Sequence, residues 1–291
     1  MPSLKEIKGR IASVGGTLKI TSAMKLVASA KLHKAQAAIE GALPYQRQLE
    51  GIMRMAVGGT TQHPLCTPHG ERKAVALIAI ASNTSLCGGY NANVLRHTLA
   101  ALEQYRREGL RVTVYVIGRK LDQALVKWAR SQDGWLTPVR DYVEKGDKPA
   151  YADAADLALS LADDYAAGRI DGAELIYMHF KSMASQALTH ETLLPLPLQS
   201  DTVSGEEERA HIMEPSREAL LEALVPDSLA MKMYAVMLDA QAAEHAARTV
   251  AMQTATDNAN ELLDELQIQY NKGRQAAITA ELLDIVGGSM Q

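Results

Sequence analysis

The chain has 291 residues, 47% of them hydrophobic and only 4% aromatic, with 30 Lys and Arg against 34 Asp and Glu. That is enough apolar mass for one large or two modest domains, and the net charge of −4 offers no overall attraction for nucleic acid or anionic lipid. So few flat rings argue against a base-stacking platform and for alanine-rich helices.

Two cysteines, Cys66 and Cys87, and no secretory leader point to a reducing compartment rather than a disulfide framework. The longest apolar run, Ala74 to Ala81, is one buried strand long and well short of the ~20 residues a spanning helix needs. Any membrane association is therefore expected to come through partners. Charge is unevenly spread: residues 1–57 hold nine basic and three acidic side chains, and residues 215–291 hold five basic and eleven acidic.

Residues 1–57 read as one long helix. Ile7, Ile11, Val14, Leu18, then Ala28, Leu32, Ala35, Ile39, Ala42, and then Leu49, Met53 and Ala56 recur at a 3-4 spacing, interrupted by Thr21, Lys25 and Gln46. About 50 helical residues span roughly 75 Å, longer than a small domain is wide. Pro44 is expected to bend or locally break this helix, because it lacks an N–H and its ring crowds the preceding turn.

The middle of the chain changes period. Val75–Ile80, Val112–Ile117 and Glu174–Phe180 read as strands, with a fourth near Gln186–Leu193, and helices are expected over Ala92–Arg107, Arg119–Arg130 and Ala152–Ala167. The alternation predicts a Rossmann-like α/β domain over residues 70–200. The stretch from Pro195 through Glu206-Glu207-Glu208 reads as a solvated loop.

After Pro215 the helical seam returns over residues 215–286. It runs through Leu220, Leu221 and Leu224, an interruption at Pro226-Asp227-Ser228, then Leu229, Met233, Val236, Ala240, Ala243, Ala247 and Val250. Ala255, Ala259, Leu262, Leu266, Tyr270, Gly273 and Ala277 continue it, and Gly287-Gly288 ends it. Small seam residues and opposite flank charges predict that the two chain ends pair as an antiparallel coiled coil.

The most site-like segment is Ser82-Asn83-Thr84-Ser85-Leu86-Cys87-Gly88-Gly89-Tyr90-Asn91, between a strand and a helix. It lacks the G-x-G-x-x-G and G-K-[ST] patterns of phosphate loops. Cys87 is a candidate nucleophile if His97 or His179 lies beside it; otherwise the segment is a structural strand-to-helix turn. His63, Cys66 and His69 offer three zinc ligands at an unusual spacing, or simply form a Pro-rich linker. The methionines, Met24 and Met233 among them, suit core packing or an adaptable contact surface equally.

Three separated blocks carry a resemblance. The opening Ser3–Lys8, Ile11–Val14 and Lys19–Lys31, the loop Leu86-Cys-Gly-Gly-Tyr-Asn91, and the closing Tyr270-Asn-Lys-Gly-Arg-Gln-Ala-Ala-Ile-Thr-Ala-Glu-Leu-Leu-Asp-Ile-Val286 together resemble the γ subunits of F-type ATP synthases, in the right order. The resemblance implies a non-catalytic central shaft without cofactor or metal. Its partners would be three α and three β subunits, the ε subunit and the c-ring, on the cytoplasmic face of a bacterial inner membrane. It also implies that Met24 and Arg248 lie at the rotor–stator contact, that Arg274 and Gln275 meet the β subunits, and that Thr279 and Glu281 belong to the C-terminal signature. Asn83-Thr84-Ser85 departs from the family's Asp-Arg-Gly, and Gly287-Gly-Ser-Met-Gln291 is looser than its usual ending. The rival readings are a thiol enzyme built on Cys87 and a coiled-coil adaptor.

Overall fold

The computed structural model describes residues 3–56, 63–132, 135–136, 138–197, 214 and 216–288. The Glu206-Glu207-Glu208 loop, Pro215 and the tail from Ser289 lie outside the described residues.

Helix α1 (Leu4–Ala56) starts on a side-chain cap: the Ser3 hydroxyl accepts the Glu6 N–H at 3.2 Å, and the Ser3 carbonyl accepts that of Ile7. Helix α5 (Arg217–Gly288) starts the same way on Ser216, whose hydroxyl accepts the Ala219 N–H at 3.2 Å. The two helices run antiparallel. As the residue number rises along α1 the partner's number falls along α5: a Cβ on Gly273 would meet Leu4, Thr21 meets Thr256, Lys25 meets Gln253, and Leu32 and Ala35 pack with Ala242 and Ala246. Ile7, Ala28, Leu32, Ala35, Leu49, Met53 and Ala56 are buried in this seam, as their spacing predicts.

Helix α1 continues through Pro44 without a break, and α5 continues through Pro226-Asp227-Ser228, which interrupt the buried stripe but not the helix. Pro44 sits on the exposed face, and the neighbouring Ala42 and Leu49 keep their places against the core. Around Pro226, Leu221, Val225 and Leu229 are all buried, and burying them offsets the ~3 kcal/mol a helical proline costs.

Between the long helices the order is β1 (Ala74–Ile80), α2 (Tyr90–Arg107), β2 (Arg111–Ile117), α3 (Arg119–Ala129), β3 (Pro138–Val139), α4 (Tyr151–Ala166), β4 (Gly172–Ser182) and β5 (Ser185–Leu194). The sheet order is β3-β2-β1-β4-β5, with the first four strands parallel and β5 antiparallel at the edge. Every residue of β1 is buried, which is why it reads as an unbroken apolar run rather than an alternation. Ala76, Ile78 and Ile80 pack with α4 and the lower part of α5. Val75, Leu77 and Ala79 pack on the opposite face with α2 and α3.

Gly118, at φ 107°, opens α3, and a Cβ there would lie 2.3 Å from the Ala81 carbonyl oxygen. Only glycine lets the turn from β2 into α3 pass this close to the chain leaving β1. At the other end of the strands, Glu174 on β4 is held by Arg72, by the Tyr105 hydroxyl and by His190 Nε2 at 2.5 Å. Burial acts to raise the Glu174 carboxyl pKa, but these hydrogen bonds and the Arg72 charge outweigh it and bring it down to about 2.

Candidate functional site

In an open α/β sheet, ligands bind at the carboxyl ends of the strands where the strand order reverses. Here that place lies beyond β1 and β4, and α5 fills it. At the end of β4, Asp239 of α5 accepts the Phe180 N–H at 3.0 Å and pairs with His179 Nδ1 at 2.5 Å. From α2 the Tyr90 hydroxyl donates to the Ala240 carbonyl at 3.0 Å, and Gln241 donates to the Asp147 carbonyl at 2.6 Å.

At the end of β1, Arg248 donates to the Thr84 hydroxyl at 2.8 Å, to the Ser85 carbonyl, and to Glu244 one turn below at 2.6 Å. Arg248 is 8% exposed and Glu244 6%. Burial pushes the Glu244 carboxyl pKa up against the opposing pull of Arg248. The adjacent His245 is pushed down to about 4, first by burial and then by the Lys31 and Arg248 charges.

The loop that Arg248 grips is internally braced. Asn91 Nδ2 donates to Ser82 Oγ at 2.8 Å, Ser82 Oγ donates to the Thr84 carbonyl at 2.6 Å, and the Asn83 side-chain oxygen accepts the Arg119 N–H at 2.9 Å. Asn83 thereby caps α3, whose own N-cap, Gly118, has no side chain for the task. Leu86 sits at φ 68° and is 59% exposed. Asn83, Thr84 and Ser85, which depart from the family's charged triplet, thus make inward contacts that tie the loop to α3 and α5.

The thiol reading finds no support. Cys87 is 1% exposed, and its sulfur meets Asn91 Nδ2 at 3.2 Å and Ser82 Oγ at 3.7 Å. His97 instead stands edge-on to His190 at 5.4 Å, and His179 is engaged with Asp239. The zinc reading also dissolves into local contacts. His63 Nδ1 accepts the Leu65 N–H at 3.2 Å, His69 Nδ1 lies 3.1 Å from Asp171, and burial raises the Cys66 thiol to about 11. Among the described residues no His, Cys, Asp or Glu group could hold a metal ion. Nor is any described helix long and apolar enough to cross a membrane.

The structure separates the residues singled out by the resemblance into two groups. Met24 is half-buried on α1 beside Lys25, whose partner Gln253 lies five residues above Arg248, roughly 8 Å along the axis. Arg274, Gln275, Thr279 and Glu281 are exposed on the part of α5 that continues beyond the start of α1. Thr279 returns its hydroxyl to the Gln275 carbonyl at 2.9 Å. The tip is apolar as well as polar, with Ile278, Leu282, Leu283 and Ile285 all exposed. Lower down, Ile20, Leu26 and Val27 are exposed on α1.

A helical shaft rising from an α/β body, with its own helix seated in the crevice where such bodies hold ligands, is a mechanical arrangement rather than a binding pocket. The ATP synthase family model matches residues 3–290. The chain is 50% identical to the ATP synthase gamma chain of Phocaeicola vulgatus and 47% identical to that of Bacteroides thetaiotaomicron, with all of both chains covered in each case. Among solved structures it is similar to a chain of the central stalk and c-ring of Tetrahymena thermophila mitochondrial ATP synthase. There the TM-score is 0.53 at 25% identity, over 81% of this chain and 99% of that one. A chain of Euglena gracilis mitochondrial ATP synthase matches in fold, with a TM-score of 0.50 at 20% identity over 95% and 94% of the two chains. The chain belongs to the family of ATP synthase gamma chains.

Proposed function

We propose that this chain is the rotating central shaft of an F-type ATP synthase, itself without catalytic activity, and that it couples ion flow through a c-ring to ATP synthesis and hydrolysis on β subunits. Its partners on this reading are three α and three β subunits around the shaft, with ε and the c-ring at the α/β body. It works as a peripheral protein on the cytoplasmic face of a bacterial inner membrane. It divides into a first shaft helix at 1–57, the α/β body at 70–200 and a second shaft helix at 215–286. Met24 and Arg248 mark the level of the rotor–stator contact, and Arg274, Gln275, Thr279 and Glu281 meet the ring near the tip.

The observation that carries this reading is α5 itself, which occupies the strand-end crevice and then runs on past α1 as an exposed apolar and polar tip. One asymmetric rod inside a threefold ring touches each β subunit differently, and differential contact is what shifts a conformational equilibrium. Moving a site from 1:99 to 99:1 takes about 5.5 kcal/mol, the scale of a few charge pairs and apolar contacts.

The test is ATP hydrolysis by purified α and β subunits, with and without this chain, beside the chain alone. A stable complex with raised activity only in the three-component mixture, and an inert isolated chain, is the expected result. Hydrolysis by the chain alone, or failure to join the complex, overturns the reading.

A further inference from the structure

The polar ties between α5 and the α/β body follow a fixed order up the shaft: Lys232 to Thr192, Asp239 to Phe180, Ala240 to Tyr90, Gln241 to Asp147, and last Arg248 to Thr84 and Ser85. Above Arg248, among the described residues, the hydrogen bonds of α5 to other elements go only to α1, through Lys25–Gln253 and Thr21–Thr256. The Arg248 clasp is therefore the highest polar tie between body and shaft, with the apolar approach of Gly88 to Ala251 above it.

We propose that Thr84 is a positioning residue for torque transfer: with the Ser85 carbonyl it pins Arg248 to the body and so fixes the height above which the coiled coil is free to twist and bend. The proposal rests on the rotor reading given above.

The chemistry of the clasp is asymmetric. Glu244 sits on the same helix as Arg248, so their ion pair at 2.6 Å holds nothing together except one turn of α5. The tie to the body comes from the remaining guanidinium donors, which are buried and have the Thr84 hydroxyl and the Ser85 carbonyl as partners. Thr84 itself is exposed, but removing its hydroxyl takes the body-side partner from a charged donor, and a hydrogen bond to a charged group is worth more than a neutral one. The load also has somewhere to go. Ser82 and Asn91 brace the loop against α2, and Asn83 fastens it to the first turn of α3. If the clasp opens, the next tie down is Gln241 to Asp147, seven residues or roughly 10 Å lower. A rod clamped lower turns less at its tip for the same rotation of its base.

The experiment uses the complete complex carrying this chain, reconstituted in vesicles, with ATP hydrolysis and ATP-driven ion uptake measured on the same preparation. Thr84→Val removes the hydroxyl at nearly constant shape, and Thr84→Ser restores it. In Thr84→Val, hydrolysis should persist while fewer ions are moved per ATP than in the parent, and Thr84→Ser should return the ratio to the parent's. A Thr84→Val complex with the parent's ratio overturns the clasp alone. So does one in which hydrolysis and uptake fall in proportion with poor assembly, which is the mark of a merely structural residue. A parent complex that neither assembles nor pumps overturns the rotor reading and the clasp with it.

Discussion

Thr21 on α1 and Thr256 on α5 bring their hydroxyls to 2.9 Å across the coiled coil, one polar layer inside an otherwise apolar seam. Each hydroxyl also has a carbonyl of its own helix within reach, Leu18 at 3.1 Å and Met252 at 2.8 Å, so neither is left unmet. Together with Lys25 and Gln253 at 2.7 Å, the layer matches the interruptions of one stripe to polar positions on the other and fixes their register. Replacing both threonines by valine exchanges a satisfied polar pair for methyls of the same shape. The Thr21→Val, Thr256→Val chain should unfold at the same urea concentration as the parent or a higher one. Thr21→Asp alone buries a charge beside Thr256 and should cost about 2 kcal/mol or more in the same measurement.

Glu174 gives the fold an acid-sensitive joint. Burial acts to raise its carboxyl, but the hydrogen bonds to His190 and Tyr105 and the Arg72 charge outweigh burial and lower it from the ordinary 4.5 to about 2. The unfolded chain therefore binds the extra proton first as pH falls, and the stability Glu174 provides is complete above pH 4.5 and is lost on the way down to pH 2. Urea unfolding of Glu174→Gln across that window should show a shallower loss than the parent.

His245 acts in a higher window. Its folded value of about 4, against 6.5 ordinarily, means that stability is complete above pH 6.5 and falls as pH drops towards 4, because the unfolded chain takes up the proton first. Lys31 and Arg248 add to the cost of a charged ring there, and Asp147 partly relieves it. His245→Leu should keep the parent's stability at neutral pH and flatten the slope between pH 6.5 and 4, as followed by urea unfolding.

Much of this could be read from the residues, for definite reasons. The α1 seam was legible because α1 makes one long contact, so a single stripe describes it. On α5 the same reasoning misplaces Val250, Leu262 and Ala277, all of which are exposed. From Val225 to Met252, α5 packs against α1 on one side and against β4 and α4 on others, so its burial covers most of the circumference and no one stripe can represent it. Strand β3 escaped notice because two residues, one of them Pro138, carry no periodicity. The clasp was invisible for another reason: Arg248 and Thr84 are 164 positions apart, and nothing local to either announces the other.

Gly118 admits a sharp steric test. Alanine there must place a methyl against the Ala81 carbonyl oxygen while holding a positive φ, and the backbone where the chain leaves β1 and β2 has to move. Gly118→Ala should cost about 3 kcal/mol, read as a fall in Tm of the isolated chain.

At the tip the opposite holds. Arg274 and Gln275 are exposed and lie past the last point where α1 supports α5. Alanine at either should leave the free chain's stability within about 0.5 kcal/mol of the parent. The same variants should weaken the rise in ATP hydrolysis on mixing with α and β subunits. Unchanged stimulation would remove both residues from the contact.

The packing of the two native thiols makes the molecule convenient for spectroscopy. Cys87 is sealed at 1% exposure beneath the β1–α2 loop, and the Cys66 thiol, raised to about 11, is almost wholly protonated at neutral pH. A fluorophore or spin label aimed at an introduced Ile278→Cys or Ile20→Cys will therefore meet an exposed thiol in preference to the buried Cys87 and the half-buried Cys66. The height and angle of the shaft can then be followed by distance measurement in an otherwise unaltered protein.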